Sequence, residues 1–372
     1  MAKHTADSLG GAVLIRGTGL LGTSIGLGLS KAGAQVYLSD PSPSAQAVAV
    51  DIGAGAPLGE ATTDPAVVVI AAPPDVCAAE IADALQRYPN AVVLDIASIK
   101  VALLEDLQKR VAAGELTAEQ LSRYIGCHPM AGRERSGPVA ARGELFTSMP
   151  WVICRRADVQ EAAVNAALEI AHTLGASVSY MDTADHDASV ALISHLPQIA
   201  ASLVASRLQD TRPESLALAG NGLRDVTRIA ASDPSLWVQI LSGNAPRIVE
   251  ILYGVREDLN RLINTMENPT GPGARLDIAQ LMSEGNTGHA RIPGKHGAPP
   301  QAFTKVTVIV DDTPGQIAAL LADIGRIGIN VEDLRMEHSA GHQVGMVEVA
   351  VVPGVRDTLI ESLTEIGWKV VQ

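Results

Sequence analysis

The strongest constraint on the fold is a G-x-G-x-x-G motif at residues 17–22, which directly follows the apolar run 12–16. Residues 23–33 have a helical pattern, and a second apolar run, 35–38, leads into Ser39 and Asp40. Glycines placed between a strand and a helix, with an acid about 20 residues further on, are typical of a dinucleotide-binding βαβ unit. The alternative is a glycine-rich turn in an unrelated α/β domain, but the complete strand–turn–helix–strand order favours the nucleotide site.

The positions of the motif have separate chemical roles. Gly17 permits the tight turn, Gly19 lets the backbone approach a pyrophosphate, and Gly22 lets the helix pack closely. The N–H groups and the positive dipole end at the helix N-terminus favour phosphate. Asp40 would accept hydrogen bonds from ribose hydroxyls and repel a 2′-phosphate, so we expect NAD rather than NADP. The predicted cofactor-binding residues are Gly17, Gly19, Leu20, Leu21, Gly22 and Asp40.

Apolar runs at 67–72, 91–96 and 124–127 alternate with helical patterns at 78–86 and 100–111. This alternation predicts a parallel, doubly wound sheet. Two late strands of the sheet are predicted at 151–154 and 177–181.

Two polar residues follow strands of this predicted sheet. Ligands bind at the carboxyl edge of a parallel sheet, so we expect Ser98 and His128 at the nicotinamide end of the cofactor. Pro129 disfavours the α conformation at His128 and holds that residue extended. Two alternatives stay open: His128 could cap a loop, and Ser98 could cap the helix that begins at Lys100.

Composition excludes several classes of function. The net charge is −13 and aromatic residues make up 3% of the 372 residues, which argues against nucleic acid or an anionic membrane as partner. No apolar run approaches the roughly 18 residues of a membrane span, and residues 1–10 lack the apolar core of a signal peptide, so we expect neither a span nor a signal peptide. Three widely spaced cysteines predict neither a disulfide framework nor a metal site. We therefore expect a soluble, cytoplasmic protein.

From Thr183 to Glu284 the sequence has no strand-like run and reads as helical. Pro197 should kink the first helix, with Ser194 and His195 at the kink. Arg224 and Arg228 lie in a short segment where an arginine could bind a carboxylate or form a surface ion pair. A later apolar helix face predicts either core packing or a dimer interface and consists of Ile248, Leu252, Val255, Leu259 and Leu262.

The predicted domains are a dinucleotide-binding domain at 11–182, a helical domain at 183–284, a linker at 285–302 and a C-terminal module at 303–372. Glycine and proline mark the linker. The C-terminal module reads β-α-β-β-α-β, which predicts a ferredoxin-like fold with a binding or regulatory role.

The chain resembles the prephenate/arogenate dehydrogenase family of tyrosine biosynthesis from about Gly11 to Glu284. The motifs that carry the resemblance are residues 17–24, Asp95-Ile96-Ala97-Ser98-Ile99-Lys100, His128-Pro129-Met130-Ala131-Gly132, Ser194-His195-Leu196-Pro197 and residues 224–230. The C-terminal module resembles an ACT domain through Asp312-Thr313-Pro314-Gly315 and Gly328-Ile329-Asn330-Val331.

The resemblance implies NAD-dependent oxidative decarboxylation of prephenate to 4-hydroxyphenylpyruvate. It implies that His128 accepts the proton of the substrate hydroxyl and that Ser98 hydrogen-bonds near both groups. Arg228 would bind a substrate carboxylate, and Glu134 would lie at the mouth of the cleft. The implied substrate-binding residues are His195, Arg228 and Glu134. We add Arg133, which departs from the family pattern, as a fourth.

The ACT-like module implies L-tyrosine as an effector, with Asp312, Gly315 and Asn330 as contacts. The alternative is that the module only stabilises the oligomer, for which we expect a homodimer through the helical domain. Arg16 and Arg133 replace small residues of many relatives. Arg133 adds positive charge near the substrate, which leaves arogenate open as the substrate.

Other readings of the sequence remain. Another two-domain NAD(P) enzyme, such as a 2-hydroxy acid or 3-hydroxyacyl dehydrogenase, would share the glycine loop but would release no CO2. A dinucleotide sensor would show no turnover, and the two site histidines argue against it.

Overall fold

The computed structural model describes residues 9–59, 64–132, 136–293, 303–338 and 344–371. These residues form two compact units, which divide after Arg256. The first unit contains an eight-stranded sheet and the helices up to the middle of a long helix. Among the described residues, the second contains the remainder of that helix, three further α-helices and a four-stranded sheet.

The first unit is built on a sheet with the strand order β3-β2-β1-β4-β5-β6-β7-β8. Its strands are β1 Val13–Arg16, β2 Val36–Ser39, β3 Ala56–Pro57, β4 Val67–Ile70, β5 Val92–Asp95, β6 Tyr124–Pro129, β7 Pro150–Cys154 and β8 Ser177–Met181. The order of the first six strands is that of a Rossmann-type dinucleotide-binding sheet. Strands β1 to β6 pair in parallel, as predicted.

The prediction of a wholly parallel sheet is wrong for one pair, because β7 runs antiparallel to β6. A parallel neighbour needs a long crossover, usually a helix. The described part of the 130–149 connection holds only a 3₁₀ turn at Pro138–Ala140. The chain therefore returns alongside β6, and β8 then pairs parallel to β7.

Helices cover both faces of this sheet. They are α1 Leu20–Lys31, α2 Pro43–Asp51, α3 Pro74–Arg87, α4 Val101–Ala112, α5 Ala118–Ser122 and α6 Glu161–Thr173. One apolar core lies between the sheet and α1 and α6, and a second lies between the sheet and α3 and α4. Because both faces are covered, β1, β4 and β5 are almost continuous apolar runs.

The chain after β8 is helical, as predicted. Its helices are α7 Thr183–Val190, α8 Leu196–Ser206, α9 Pro213–Leu216, α10 Asn221–Thr227, α11 Pro234–Gly243, α12 Ala245–Glu267 and α13 Ala274–His289. A π-helical turn, Ala191–His195, joins α7 to α8. Pro197 provides no N–H for a helical bond, and this wider turn immediately before α8 accommodates it. This turn includes Ser194 and His195, the positions at which a kink is predicted.

The α7–α8 stretch, Thr183–Ser206, has the length and mean hydropathy, 1.5, of a membrane span. The expectation that no apolar run approaches that length is therefore wrong. Its charged residues lie at the start, and alanine, valine, leucine and isoleucine dominate the remainder. His186 and Asp187 are fully buried in the first unit, whereas 28% of the apolar window is buried within the chain.

Helix α13 extends beyond its predicted end, to His289, and occupies part of the predicted linker. Gly285 and Gly288 do not stop it, because a glycine costs a helix only about 1 kcal/mol relative to alanine. Glu284 accepts hydrogen bonds from Gln280 at 2.9 Å and from Arg261 of α12 at 3.0 Å. These contacts support the helix at the point where the linker was expected to begin.

The C-terminal module follows the predicted β-α-β-β-α-β order. Its elements are β9 Thr304–Asp311, α14 Gln316–Ile327, β10 Asp333–His338, β11 Val344–Val351, α15 Arg356–Ile366 and β12 Lys369–Val371. The strands form an antiparallel sheet in the order β10-β11-β9-β12 and pack against both helices through an aliphatic core.

Candidate active site

The glycine loop lies between β1 and α1, at the carboxyl edge of the sheet. Gly17 has a φ of +104°, and a Cβ added there would lie 2.3 Å from the carbonyl oxygen of Ala71. A Cβ on Gly22 would lie 2.0 Å from the oxygen of Gly17, whereas one on Gly19 would meet nothing within 4 Å. The loop is thus closed against the protein at Gly17 and Gly22 and open at Gly19.

The start of α1 suits an anionic ligand. Gly19 is the N-cap residue, so no side chain caps the helix, and its first turn holds no acidic residue. The first amides, including those of Leu20 and Leu21, can therefore serve a phosphate. This region fits the pyrophosphate of a dinucleotide.

Asp40 follows β2 and lies beside the same loop. Its Oδ2 accepts hydrogen bonds from the Thr18 backbone N–H at 2.6 Å and from Thr18 Oγ1 at 2.9 Å. Its Oδ1 accepts from the Ser42 N–H at 2.8 Å. The carboxylate is therefore fixed next to the glycine loop and has acceptor capacity left on Oδ1.

A buried ion pair lies beneath the loop that carries Ser98. Lys100 Nζ donates to Asp95 Oδ1, and Asp95 Oδ2 accepts from the hydroxyl of Tyr124 at 2.7 Å. Burial opposes the charged form of Lys100, but the Asp95 carboxylate outweighs it and raises the pKa of Lys100. The pair fixes the loop between β5 and α4, in which Ser98 is half-buried.

The N-terminus of α4 is capped by a residue from another helix. Asp187 of α7 accepts from the backbone N–H of Lys100 at 2.9 Å and from that of Val101 at 2.8 Å. The cap position of α4 is Lys100, which makes no side-chain capping bond. The alternative that Ser98 caps this helix is therefore wrong, because Asp187 has that role.

His128 lies near the end of β6, extended as Pro129 predicts, and contacts a second histidine. Its Nδ1 is 2.8 Å from Nε2 of His186, and Nδ1 of His186 is 2.7 Å from Asp187 Oδ1. Burial lowers the pKa of His128 well below its usual range, and the nearby His186, Lys100 and His195 lower it further. A neutral imidazole at this position can act as a base near neutral pH.

His195 lies at the end of the π-helical turn and is almost completely buried. Asn244 Nδ2 donates to the backbone oxygen of Asp187 at 2.8 Å and lies 3.2 Å from Nδ1 of His195. The ring of Trp237 packs edge-on against the imidazole. Burial lowers the pKa of His195 to about 4, although Asp187 opposes the shift. His195 is thus neutral at pH 7, and its Nε2 is left to donate a hydrogen bond.

The structure places the other predicted residues as follows. Arg228 is exposed and begins the 3₁₀ turn Arg228–Ala231 after α10. Arg133 and Glu134 lie outside the described residues. Arg16 points away from the glycine loop and pairs with Glu80 at 3.0 Å and Asp83 at 2.6 Å, so it ties β1 to α3.

Sequence reasoning missed His186, Asp187 and Asn244 as site residues. In the sequence, the Asp185-His186-Asp187 segment has the pattern of an acidic helix start. The one sequence signal for His186 and Asp187 is that polar residues stand at the start of an otherwise apolar helix directly after the last strand of the sheet. Nothing in their spacing reveals the contact, because His128 and His186 are 58 residues apart.

The site can therefore perform proton abstraction beside a bound dinucleotide. The edge shared by β1, β4, β5 and β6 places the glycine loop, Ser98 and His128 on one side of the sheet. Helix α7 contributes His186 and Asp187, and Asp187 contacts the loop at 96–101. Asn244 follows the end of α11. A neutral base, a fixed donor and a phosphate-binding helix N-terminus are the parts that an alcohol dehydrogenation needs.

Comparison with known proteins gives matches over most of the chain. Residues 25–180 match the family model described as the prephenate dehydrogenase nucleotide-binding domain, and residues 182–283 match the one described as its dimerization domain. The chain is 34% identical over 365 residues to the probable prephenate dehydrogenase NovF of Streptomyces niveus, covering 96% of this chain and 98% of that protein.

Solved structures agree. Prephenate dehydrogenase from A. aeolicus, in complex with hydroxyphenyl propionate and NAD+, is 26% identical with a TM-score of 0.65. The match covers 76% of this chain and 98% of that one. Synechocystis arogenate dehydrogenase, at 23% identity and a TM-score of 0.60 over 74% and 99% of the two chains, shares the fold. With both family domains matched in order, the chain belongs to the prephenate dehydrogenase family.

Proposed function

We propose that this protein catalyses the NAD-dependent oxidative decarboxylation of prephenate to 4-hydroxyphenylpyruvate, in L-tyrosine biosynthesis. The observation that carries the proposal is the position of His128, a neutral histidine on the carboxyl edge of a dinucleotide-binding sheet. Membership of the family supplies the substrate class. The A. aeolicus relative was solved with NAD+ and an aromatic acid bound, which supports the same pair of ligands here.

The chain's own residues divide the chemistry between them. His128 takes the proton of the substrate's ring hydroxyl, and Ser98 hydrogen-bonds to that hydroxyl. His195 donates a hydrogen bond from Nε2, and Arg228 binds a substrate carboxylate with its guanidinium fork. Glu134 and Arg133 are proposed as further substrate-binding residues. As hydride and CO2 leave, the ring becomes aromatic, which makes the reaction effectively irreversible.

NAD, when bound, accepts the hydride. Gly17, Gly19 and Gly22 with the amides of Leu20 and Leu21 would hold its pyrophosphate, and Asp40 would accept from a ribose hydroxyl. The Asp40 carboxylate would repel the 2′-phosphate of NADP, which supports the preference for NAD.

We also propose a homodimer. Much of the apolar face predicted on α12 is exposed in one chain: Val255 is 44% exposed and Leu259 is 53% exposed, while Ile248 is buried. Leu192, Ile193 and Leu203 on the π-helical turn and α8 are exposed as well. Apolar surface of this extent is typical of a subunit interface, and residues 182–283 match a dimerization domain.

The C-terminal module is proposed to be ferredoxin-like, of the ACT type, and to bind L-tyrosine. Asp312 and Gly315 follow β9, whereas Asn330 precedes β10. Through β11, the start of β10 at Asp333 is level with Lys305, at the opposite end of β9 from Asp311. Six residues of strand separate the two ends by roughly 20 Å. One effector could contact Asp312 and Asn330 together only across two copies of the module.

The test is NADH formation by the purified protein with prephenate, run beside arogenate, with NADP in place of NAD and with a tyrosine titration. Turnover with prephenate and NAD, with little activity on NADP, is expected. Turnover with arogenate alone would change the proposed substrate but leave the proposed active site unchanged. No turnover with either substrate would reject the proposal. Absence of CO2 release would indicate another dehydrogenase.

A further inference from the structure

Three polar side chains form one continuous hydrogen-bonded line behind the base. His128 Nδ1 lies 2.8 Å from His186 Nε2, and His186 Nδ1 lies 2.7 Å from Asp187 Oδ1. His186 is completely buried and Asp187 is 1% exposed. His128 is the only one of the three with part of its side chain at the cleft.

The Asp187 end of the line sets the direction of every bond. Its two oxygens accept the backbone N–H groups of Lys100 and Val101, at the N-terminus of α4. Both oxygens therefore already act as acceptors, as those of a carboxylate do. An ionised carboxylate can only accept, so His186 Nδ1 must carry the proton of the bond to Asp187.

The remaining assignment follows from the two tautomers of imidazole. A neutral His186 that donates from Nδ1 accepts at Nε2. His128 must then donate from Nδ1, which leaves the lone pair of His128 on Nε2. That nitrogen is the one free to take a proton from a substrate hydroxyl. The reverse tautomer of His128 would place a hydrogen on Nε2 and block the base.

We propose that His186 and Asp187 are positioning residues that hold His128 in the tautomer with Nδ1 protonated and Nε2 free. The inference rests on the proposed function, since it assigns the atom of His128 that receives the proton. In Ser-His-Asp enzymes a carboxylate fixes the tautomer of the catalytic imidazole directly. Here a second histidine, His186, lies between the carboxylate and the catalytic imidazole. Among the described residues, Lys100 and His195 are the other charged or titratable groups that act on His128, and neither forms part of the line.

A pair of variants of similar size tests the role of His186. His186→Gln keeps an acceptor for His128 Nδ1–H in its side-chain oxygen, whereas His186→Met removes it. We expect kcat to fall about 100-fold or more in His186→Met and to stay within about 10-fold of wild type in His186→Gln. KM and NAD affinity should change less than about 3-fold in both. Equal kcat in the two variants would overturn the proposal.

Asp187→Asn tests the carboxylate. An amide can donate to His186 Nδ1, which turns the line around and places hydrogen on His128 Nε2. We expect kcat to fall about 10²–10⁴-fold and to rise continuously with pH, because hydroxide then replaces the base. The matched control is Asp185→Asn, an exposed aspartate on the same helix, which should behave as wild type. A loss of kcat without this change in the pH profile would indicate a merely structural role.

The tautomer can also be read directly in the intact enzyme. ¹⁵N-histidine spectra of wild type at pH 8, with His128 assigned by its loss in His128→Asn, should show hydrogen on Nδ1 of His128. Hydrogen on Nε2 would overturn the proposal whatever the kinetics of the His186 and Asp187 variants. The spectrum needs no turnover, so it still decides the tautomer if the protein fails to oxidise prephenate or arogenate.

Discussion

At the scale of single residues, His128 is the group on which the proposed reaction depends. His128→Asn removes the proton acceptor at the end of β6 and keeps a polar side chain of similar size. We expect kcat to fall roughly 10²–10⁴-fold, as for the loss of a general base. Steady-state NADH formation measures the effect, with NAD affinity followed by fluorescence as a check on the fold. A kcat near that of wild type would remove His128 from the mechanism.

His195 gives a second residue-scale prediction, on stability and pH. Burial lowers its pKa to about 4 in the folded protein, below the value of about 6.5 expected in the unfolded chain. At pH values between these two pKa values, the unfolded state binds more protons than the folded state. The stability that neutral His195 contributes is therefore present above pH 6.5 and is lost as the pH falls towards 4. The loss should be at most about 3 kcal/mol.

Urea unfolding of wild type and His195→Asn between pH 4.5 and 7.5 measures this contribution. The variant should lose less stability on acidification than wild type. His172→Asn, on the exposed side of α6, is the control and should retain the wild-type slope. Parallel pH profiles for wild type and His195→Asn would contradict the prediction.

Sequence alone could place His128 and Ser98 at the sheet edge, because both follow apolar runs in a βα alternation. It could not find His186 or Asp187, since their contacts connect residues 58 and 86–87 positions apart. Pattern analysis detects periodicity within an element and gives no signal for pairs between elements. The interpretation of Ser98 as a helix cap was wrong for the same reason.

At the scale of elements, Gly126 controls how β6 packs over the buried ion pair. A Cβ at this position would lie 2.9 Å from Lys100 Cδ and 3.3 Å from the hydroxyl oxygen of Tyr124. Both neighbours are fully buried and cannot move aside. We expect Gly126→Ala to reduce the free energy of unfolding by about 1–3 kcal/mol, as overpacking does, measured by urea unfolding.

Gly285→Ala in α13 is the matched control for this substitution. An added Cβ there meets nothing within 4 Å, and alanine favours a helix, so stability should be unchanged or slightly raised. An unfolding midpoint for Gly126→Ala equal to wild type would show that the loop at 96–100 can shift.

Helix α12 gives the prediction for the proposed dimer. Leu259→Glu places a charge on the exposed apolar face, where burial against a partner would cost several kcal/mol. We expect the protein to become monomeric, as measured by light scattering after gel filtration. Glu257→Gln, on the polar side of the same helix, should leave the mass of the wild-type dimer. A dimeric Leu259→Glu variant would place the interface elsewhere.

The boundaries of elements were harder to predict than their type. The alternation of apolar runs predicted the parallel strands β1, β2, β4, β5 and β6 but not the short strand β3. The direction of β7 depends on whether a helix fills the 130–149 connection. In the same way, glycine content suggested a linker where α13 continues. Side-chain contacts between α12 and α13 support that helix, and composition does not reveal them.

At the scale of the whole molecule, the proposed tyrosine effect depends on two copies of the C-terminal module. Asp312 and Asn330 lie at opposite ends of the sheet, so each proposed site takes one residue from each copy. Asp312→Ala and Asn330→Ala should therefore each abolish tyrosine inhibition, and kcat without tyrosine should be unchanged. Mixed dimers of the two variants would retain one complete site. We expect partial recovery of inhibition after co-expression, measured by tyrosine titration of NADH formation.

A variant in the middle of the module serves as the control for that experiment. Thr307→Ser, in β9 between the two ends, should keep the inhibition of wild type. Inhibition that survives in both single variants would show that tyrosine binds elsewhere. Failure of the mixed dimers to recover would show that one copy alone forms the site.

The position of Asp187 and His186 has a consequence for how this enzyme can be divided and recombined. The junction between the two family domains falls at residues 180–182, just ahead of both residues. An excised nucleotide-binding domain would keep its dinucleotide loop and His128 but would lose the groups that orient that imidazole. Chimeras that exchange helical domains between relatives would also exchange the residues that orient the His128 imidazole. Activity therefore depends on residues from both family domains, so we expect the two domains to evolve together.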